Sequence, residues 1–124
     1  MQKDVAEFGQ QQTSPQTKKR NMSSEISQLR TVAQVALLTH ITPRVRSISL
    51  DLESSERKIC FRVYTDGVLS ESALEALSCA VTEIEATLGF RVDEEYLVVP
   101  EPGSMEHFPV IVYARCEDSW VDRG

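Results

Sequence analysis

Residues 45–65 read VRSISLDLESSERKICFRVYT, and their pattern is the strongest structural signal in the sequence. Apolar residues occupy every second position in residues 48–52 and again in residues 59–63. Such alternation is typical of strands with one buried face and one face in water. The polar run Glu53–Lys58 between them is short enough to be a turn. The stretch therefore predicts a β-hairpin, with Ser47 and Ser49 on its solvent-facing side.

Two helices are predicted around this hairpin. Residues 24–40 carry apolar side chains at spacings of three and four, and residues 71–88 repeat the pattern. Ser70 is a suitable N-cap for the second helix, and Gly89 stands where a left-handed C-terminal cap is expected. The hairpin therefore lies between two predicted amphipathic helices in the order of the chain.

Two further strands are predicted, at about residues 91–99 and 110–115. The connection between them, Pro100–Pro109, is long for a hairpin loop, and long loops often carry function. Two hairpins and two helices predict an α+β fold. We expect a two-layer αββαββ domain in which a four-stranded, mostly antiparallel sheet carries both helices on one face.

The domain is expected to span residues 23–118. Residues 1–22 are polar and poor in apolar side chains, so they predict a disordered N-terminal tail. Residues 119–124 are expected to form a short C-terminal tail.

The charge of the chain is unevenly distributed. The formal net charge is −6, but residues 66–106 contain ten acidic residues against Arg91 alone. Such a surface repels nucleic acid and anionic membranes and attracts a basic partner. We therefore expect a protein partner, with no direct contact with nucleic acid and no membrane association.

The sequence contains no recognisable motif for catalysis or metal binding. His40 and His107 have no neighbours at the spacing of metal ligands, which must converge in threes or fours. Cys60, Cys79 and Cys116 include no CxxC pair and are predicted to be buried or half-buried free thiols. The odd number of cysteines favours a reducing cytoplasm. We expect no metal, no cofactor and no enzymatic activity.

Four segments resemble one family of bacterial proteins. They are AQVALLTHITPRVRSISLDL (Ala33–Leu52), FRVYTDGVLSE (Phe61–Glu71), Asp93–Glu95 with the turn Pro100–Pro102, and VIVYARCE (Val110–Glu117). Their order and spacing are similar to those of small immunity proteins from contact-dependent growth inhibition and related polymorphic-toxin systems. The resemblance implies a cytoplasmic, non-enzymatic inhibitor. Such an inhibitor binds the C-terminal domain of its cognate toxin and masks the active site or the substrate surface.

The resemblance identifies no contact residue, because contacts in this class vary with the toxin. Candidate toxin-binding residues come instead from charge and aromatic character. Many such toxins are nucleases, whose basic surfaces favour an acidic inhibitor, and binding hot spots favour aromatic side chains. The candidates are Asp66, Glu71, Glu75, Asp93, Glu95, Tyr96, Glu101, Glu106 and Phe108.

Two other functions remain open at this point. The first is a small regulatory or adaptor domain that acts through self-association or ligand binding, as related architectures do. The second is a small enzyme that uses Cys60 or Cys116, which requires an exposed thiol near a base. For the immunity function we expect a monomer or weak homodimer when the protein is free.

Overall fold

The computed structural model describes residues 15–117, with side chains from Ser24 onward. The elements, in chain order, are α1 (Pro15–Leu37), β1 (Val45–Glu53), a short 3-10 helix (Ser54–Glu56), β2 (Lys58–Thr65), α2 (Glu71–Leu88), β3 (Arg91–Val98) and β4 (Val110–Ala114). Two helices and four strands occur in the predicted order, which confirms the α+β class.

The four strands form one sheet in the order β3-β2-β1-β4. β1 pairs antiparallel with both β2 and β4, which confirms the first hairpin and the mostly antiparallel sheet. The second predicted hairpin is wrong, because β3 and β4 lie at opposite edges. The 18-residue helix α2 brings the chain back along the sheet, so that β3 pairs in parallel with β2. Residues 99–109 must then cross the sheet to reach the far edge.

Both helices pack against one face of the sheet and against each other. The centre of that face is formed by side chains with no solvent exposure: Ile48, Leu50, Ile59, Phe61 and Val63. The helices cover them with Leu29, Ala33, Ala36 and Leu37 from α1 and with Ala73, Leu77, Ala80, Val81 and Ile84 from α2. Complete burial of one large apolar side chain contributes about 1.5–3 kcal/mol, so this layer supplies most of the driving force for folding.

Helix α1 differs from the prediction at both ends. It begins at Pro15, so residues 15–22 are helical where the sequence predicted a disordered tail. Proline suits the first turn of a helix, the Gln, Lys and Arg that follow are good helix formers, and extending a helix costs less than nucleating one. The helix ends at Leu37, short of His40, because Thr39 adopts a left-handed backbone (φ 69°). Residues 1–14 and 118–124, with the rest of both predicted tails, lie outside the described residues.

Helix α2 has the ends that the sequence predicts. Ser70 caps its first turn, and the Ser70 hydroxyl accepts a hydrogen bond from the backbone N–H of Ala73 (3.1 Å). At the other end Gly89 takes a left-handed conformation (φ 73°), which glycine adopts without steric cost. The two caps fix the position of α2 between β2 and β3.

The sheet face opposite the helices is partly closed to solvent. Ser47 and Ser49 were predicted to face water, but both are fully buried. That prediction is wrong because residues 99–109 fold across this face. The backbone N–H of Phe108 donates to Ser49 Oγ (3.0 Å), and His107 Nε2 lies 2.9 Å from Ser47 Oγ. We refer to this side of the sheet, with residues 99–109 on it, as the loop-covered face.

The N-cap of α2 gives a direct test of this fold. We expect Ser70→Ala to lower the free energy of unfolding by about 1 kcal/mol, because the N–H of Ala73 loses its acceptor. Urea denaturation of both proteins measures the difference. Ser72→Ala, at an exposed position in the first turn of the same helix, is the matched control and should change stability by less than about 0.5 kcal/mol. Equal effects of the two substitutions would contradict the capping role.

Candidate functional site

The structure divides the nine candidate residues from the sequence into three groups. Asp66 and Glu101 lie together beside Arg115. The candidates on or beside the loop-covered face are Asp93, Glu95, Glu106 and Phe108. Glu71 and Glu75 lie on α2, and Tyr96 lies on the helix side of β3. The candidates therefore do not form one continuous site.

Arg46 is the centre of the first group, although the sequence analysis did not select it. The Arg46 side chain is 3% exposed and forms a double hydrogen bond with the carboxylate of Glu117, with both N–O distances 2.7 Å. The remaining nitrogen of Arg46 donates to the carbonyls of Val99 (2.8 Å) and Gly103 (3.0 Å). Arg46 therefore ties the start of the loop to the chain segment after β4.

A second arginine continues this network. Arg115 donates to the carboxylates of Asp66 (2.8 Å), Glu101 (3.1 Å) and Glu117 (3.3 Å), and to the carbonyl of Pro43 (2.6 Å). The carboxylates of Asp66 and Glu101 are thus occupied by an internal cation and only about a quarter exposed, at 28% and 26%. Their geometry is that of structural acids that hold the loop in place.

On the loop-covered face, Arg62 organises the second group. Its guanidinium donates to Glu95 (3.0 Å) and to the backbone carbonyl of Glu106 (2.9 Å). It also lies over the ring of Phe108, 4.1 Å from the centroid, which is a cation–π contact. The hydroxyl of Tyr64 accepts from the N–H of Glu106 (2.9 Å) and donates to the carbonyl of Glu106 (3.1 Å). The backbone of the loop is therefore fixed, while the carboxylates of Glu95 and Glu106 lie at exposed positions.

The third group is located by two contacts between α2 and β3. Ser78 Oγ donates to the Glu94 carboxylate (3.4 Å), and Glu85 accepts from the backbone N–H of Val92 (3.0 Å). Helical residues three and four apart share a face, so the row that contains Ser78 and Glu85 continues back to Glu75 and Glu71. This row of α2 therefore runs along the free edge of β3.

Beyond the contact between Ser78 and Glu94, α2 and β3 extend over similar lengths. The helix rises about 10 Å from Ser78 back to residue 71, and the strand extends about 13 Å from Glu94 to residue 98. The two contacts show that α2 runs antiparallel to β3, so we expect the start of α2 near the end of β3. We call this surface the acidic edge and define it by Glu71, Glu75, Glu94, Tyr96 and Val98.

Tyr96 is the half-buried aromatic residue of the acidic edge. Its hydroxyl donates to the Glu94 carboxylate (2.7 Å). Burial, together with this hydrogen bond to a carboxylate, raises the pKa of Tyr96 well above its usual value. The phenol is therefore neutral at physiological pH, and it holds the Glu94 carboxylate as an acceptor at the surface.

The cysteines and histidines lie in different surroundings. Cys60 is half-buried as predicted, but Cys79 and Cys116 are exposed, because they lie on the solvent side of α2 and beyond the end of β4. Burial raises the pKa of the Cys60 thiol, which disfavours the reactive thiolate. His107 contacts Ser47 and the edge of the Tyr64 ring.

Residues 15–117 contain no group of three or more His, Cys, Asp or Glu side chains that could hold a metal ion. Within the same range, no helix is long and apolar enough to cross a membrane.

Sequence reasoning missed Arg46, Arg115 and Glu117 for one physical reason. A charged residue at the end of a strand is usually solvated, and the partners Arg46 and Glu117 are 71 positions apart in sequence. Arg115 and Glu117, two residues apart after an apolar strand, were the available signal. They do not identify which distant charge they meet.

The pair Arg46–Glu117 predicts a pH-dependent contribution to stability. Hydrogen bonds from Arg46 hold the pKa of Glu117 below its usual value despite burial. A carboxyl group with a depressed folded-state pKa stabilises the fold above its unfolded pKa of about 4.3, and the contribution is lost as pH falls through the folded-state value. We expect Glu117→Gln to lower the free energy of unfolding by about 3 kcal/mol at neutral pH, as measured by urea unfolding. The loss should become progressively smaller in acid.

Glu56→Gln is the control for this comparison. Glu56 is 62% exposed, and its ion pair with the Lys58 ammonium is long, at 3.9 Å. Its substitution should therefore change the free energy of unfolding by less than about 0.5 kcal/mol at any pH. A cost for Glu117→Gln that stays constant from neutral pH into strong acid would contradict the assignment.

One family profile covers all but the N-terminal part of the described structure. The profile of the MafI2 immunity protein family matches residues 26–117, which include the whole sheet, α2, the second half of α1 and the Arg46–Glu117 pair. No curated protein matches the chain. The family match covers well over half of the sequence and ends at the buried Glu117. The chain therefore belongs to the MafI2 immunity protein family, the immunity proteins of a polymorphic toxin system.

Proposed function

We propose that this protein neutralises its cognate toxin by direct binding, with the acidic edge placed against the toxin's active or substrate-binding surface. One observation carries the proposal. Glu71 and Glu75 lie at exposed positions, and no ion pair involves them or Glu94 within the described residues. Their charges are available to a partner, whereas the carboxylates of Asp66 and Glu101 already hold Arg115.

The charge of the acidic edge favours a basic toxin, and a nuclease is the class that fits best. A nuclease must hold phosphates, so the surface around its active site is positively charged. An acidic inhibitor that covers such a surface gains both specificity and speed, since electrostatic steering raises association rates to about 10⁸–10⁹ M⁻¹s⁻¹ at low salt. Fast association matters when the toxin acts inside the same cell.

The same charge explains the other properties that we assign. The acidic edge repels nucleic acid and anionic lipid, so we propose that the toxin itself is the partner. Inhibition needs no turnover, so we propose a non-enzymatic inhibitor that acts in the cytoplasm. Like charges along the edge disfavour pairing with a second copy, which favours a monomer when the protein is free.

The loop-covered face provides a second set of contacts. Asp93 and Glu95 share this side of β3, but their charges are partly neutralised by Lys58 (3.7 Å from Asp93) and Arg62 (3.0 Å from Glu95). Phe108 is half-buried under Arg62. We propose that these residues, with Glu106, lie at the rim of the interface and that Glu71, Glu75, Glu94 and Tyr96 lie nearer its centre.

Co-expression tests the proposal as a whole. The C-terminal domain of the toxin encoded beside this chain should inhibit growth when expressed alone and should be harmless when this protein is present. The two proteins should also co-purify in a one-to-one complex that weakens between low and high salt. Without growth protection or a complex, the proposal is wrong, and a bound small molecule or a salt-independent dimer would favour a regulatory domain.

Charge reversal at one position distinguishes the effect of a local contact with the toxin from the effect of the overall net charge. We expect Glu75→Lys to slow association with the toxin domain by about tenfold at low salt and to weaken the complex, as measured by stopped-flow mixing and calorimetry. Glu83→Lys makes the same change in net charge at another exposed position of α2, rotated by about 120° from the acidic edge. The Glu83 variant should bind almost as well as the unmodified protein, and equal losses would place the interface elsewhere.

A further inference from the structure

Backbone hydrogen bonds define which groups of β3 face β2. The N–H of Arg91 donates to the carbonyl of Arg57 (3.0 Å), and the N–H of Val99 donates to the carbonyl of Thr65 (2.8 Å). In a parallel pair alternate residues bond to the same neighbour, so the odd-numbered residues from 91 to 99 are directed at β2. The even-numbered residues direct their N–H and C=O groups away from the sheet.

The Val92 end of this edge is already occupied. The N–H of Val92 donates to the carboxylate of Glu85, which confirms that even-numbered residues point outward. Beyond this point the edge consists of Glu94, Tyr96 and Val98, with which no further strand of residues 15–117 pairs. Val98 is 51% exposed, so it adds an apolar side chain to this edge.

The opposite edge of the sheet is a poorer candidate. β4 has only five residues, Val110–Ala114, and the carbonyl of Ile111 already accepts a hydrogen bond from Arg30 of α1 (3.0 Å). β3 has eight residues, and its outward-facing groups from Glu94 onward lie next to the acidic row of α2. An added strand therefore finds more backbone partners at β3.

Side chains on both sides of β3 define the chemistry of such a strand. On the helix side, a strand added to β3 would meet the carboxylates of Glu94, Glu71 and Glu75. On the loop-covered side it would meet the carboxylate of Glu95. Towards the end of β3 the neighbours become apolar, with Tyr96, Leu97 and Val98. A matching strand carries Lys or Arg where it passes residues 94 and 95 and apolar residues where it passes residues 96–98.

We propose that the toxin domain adds such a basic strand to β3, so that the complex is held by backbone hydrogen bonds to Glu94, Tyr96 and Val98. This inference rests on the proposed function and specifies how the acidic edge binds. Strand addition takes its affinity from the main chain and its specificity from the flanking side chains. The acidic side chains admit a basic strand and oppose a second copy of β3.

Amide exchange in the complex tests the inference residue by residue. The probe is the C-terminal toxin domain encoded beside this chain, bound to the full-length protein. Strand addition should slow hydrogen exchange of the Glu94, Tyr96 and Val98 amides by at least about tenfold. The amides of Glu95 and Leu97, which already bond to β2, should change little. Unchanged exchange at all three even-numbered amides in a stable complex would overturn strand addition.

A pair of substitutions at Val98 gives an independent test. Val98→Ala keeps the outward N–H and removes most of the side chain, whereas Val98→Pro also removes the N–H and places a ring at the open edge. Proline is tolerated on edge strands whose N–H faces solvent, and circular dichroism and urea unfolding check that both variants fold. We expect Val98→Pro to bind the toxin domain at least about tenfold more weakly than Val98→Ala.

The outcomes separate this inference from the proposed function. Equal affinity of two folded Val98 variants, with growth protection intact, would overturn strand addition and leave direct inhibition standing. Failure of the unmodified protein to bind or protect would overturn the proposed function itself. A third outcome is that, in the free protein, the even-numbered amides become more protected from exchange as the protein concentration rises. That result would identify a second copy of the chain as the added strand and would contradict the inference.

Discussion

The guanidinium of Arg46 is the constraint on which the loop-covered face depends. A buried cation is tolerated only when its charge is neutralised and its N–H groups are bonded, and Glu117, Val99 and Gly103 meet both requirements. These bonds hold two distant parts of the chain, the start of the loop and the segment after β4, against β1. Once the loop is held there, its backbone can bond Tyr64 and the buried hydroxyl of Ser49. Arg46 thus anchors the start of the loop, and Arg62, Tyr64 and Ser49 hold its later part.

Acidic residues that look alike in the sequence have two different roles in this structure. Asp66, Glu101 and Glu117 neutralise internal arginines and belong to the framework. Glu71 and Glu75 lie along an open strand edge, and no base pairs with them in the described chain. The proposal of a basic partner therefore starts from the excess of negative charge, and the proposed position of the interface starts from the pairing pattern. In that proposal the first set gives a rigid shape and the second gives the attraction.

Local patterns predicted the elements well, and distant contacts explain what they missed. The alternation of apolar residues predicted β1 and β2, and the capping residues Ser70 and Gly89 predicted the ends of α2. These predictions were correct because each pattern lies within a few residues of the structure that it specifies. The parallel pairing of β3 depends on how α2 crosses the sheet, which no local pattern records. The burial of Ser47 depends in the same way on residues about 60 positions away. For the candidate site, the composition of residues 66–106 indicated the acidic residues. It did not distinguish a carboxylate that bonds Arg115 from one that forms no ion pair in the described residues.

The distance in sequence between Arg46 and Glu117 also has a consequence for protein synthesis. Arg46 leaves the ribosome early, and the carboxylate that neutralises it is added 71 residues later. A nascent or truncated chain that ends before Glu117 would have to bury the guanidinium without its counter-charge, so the closed arrangement of β1, the loop and the segment after β4 is unfavourable until then. We therefore expect the loop-covered face to close only after Glu117, the last residue of the family match, has been translated.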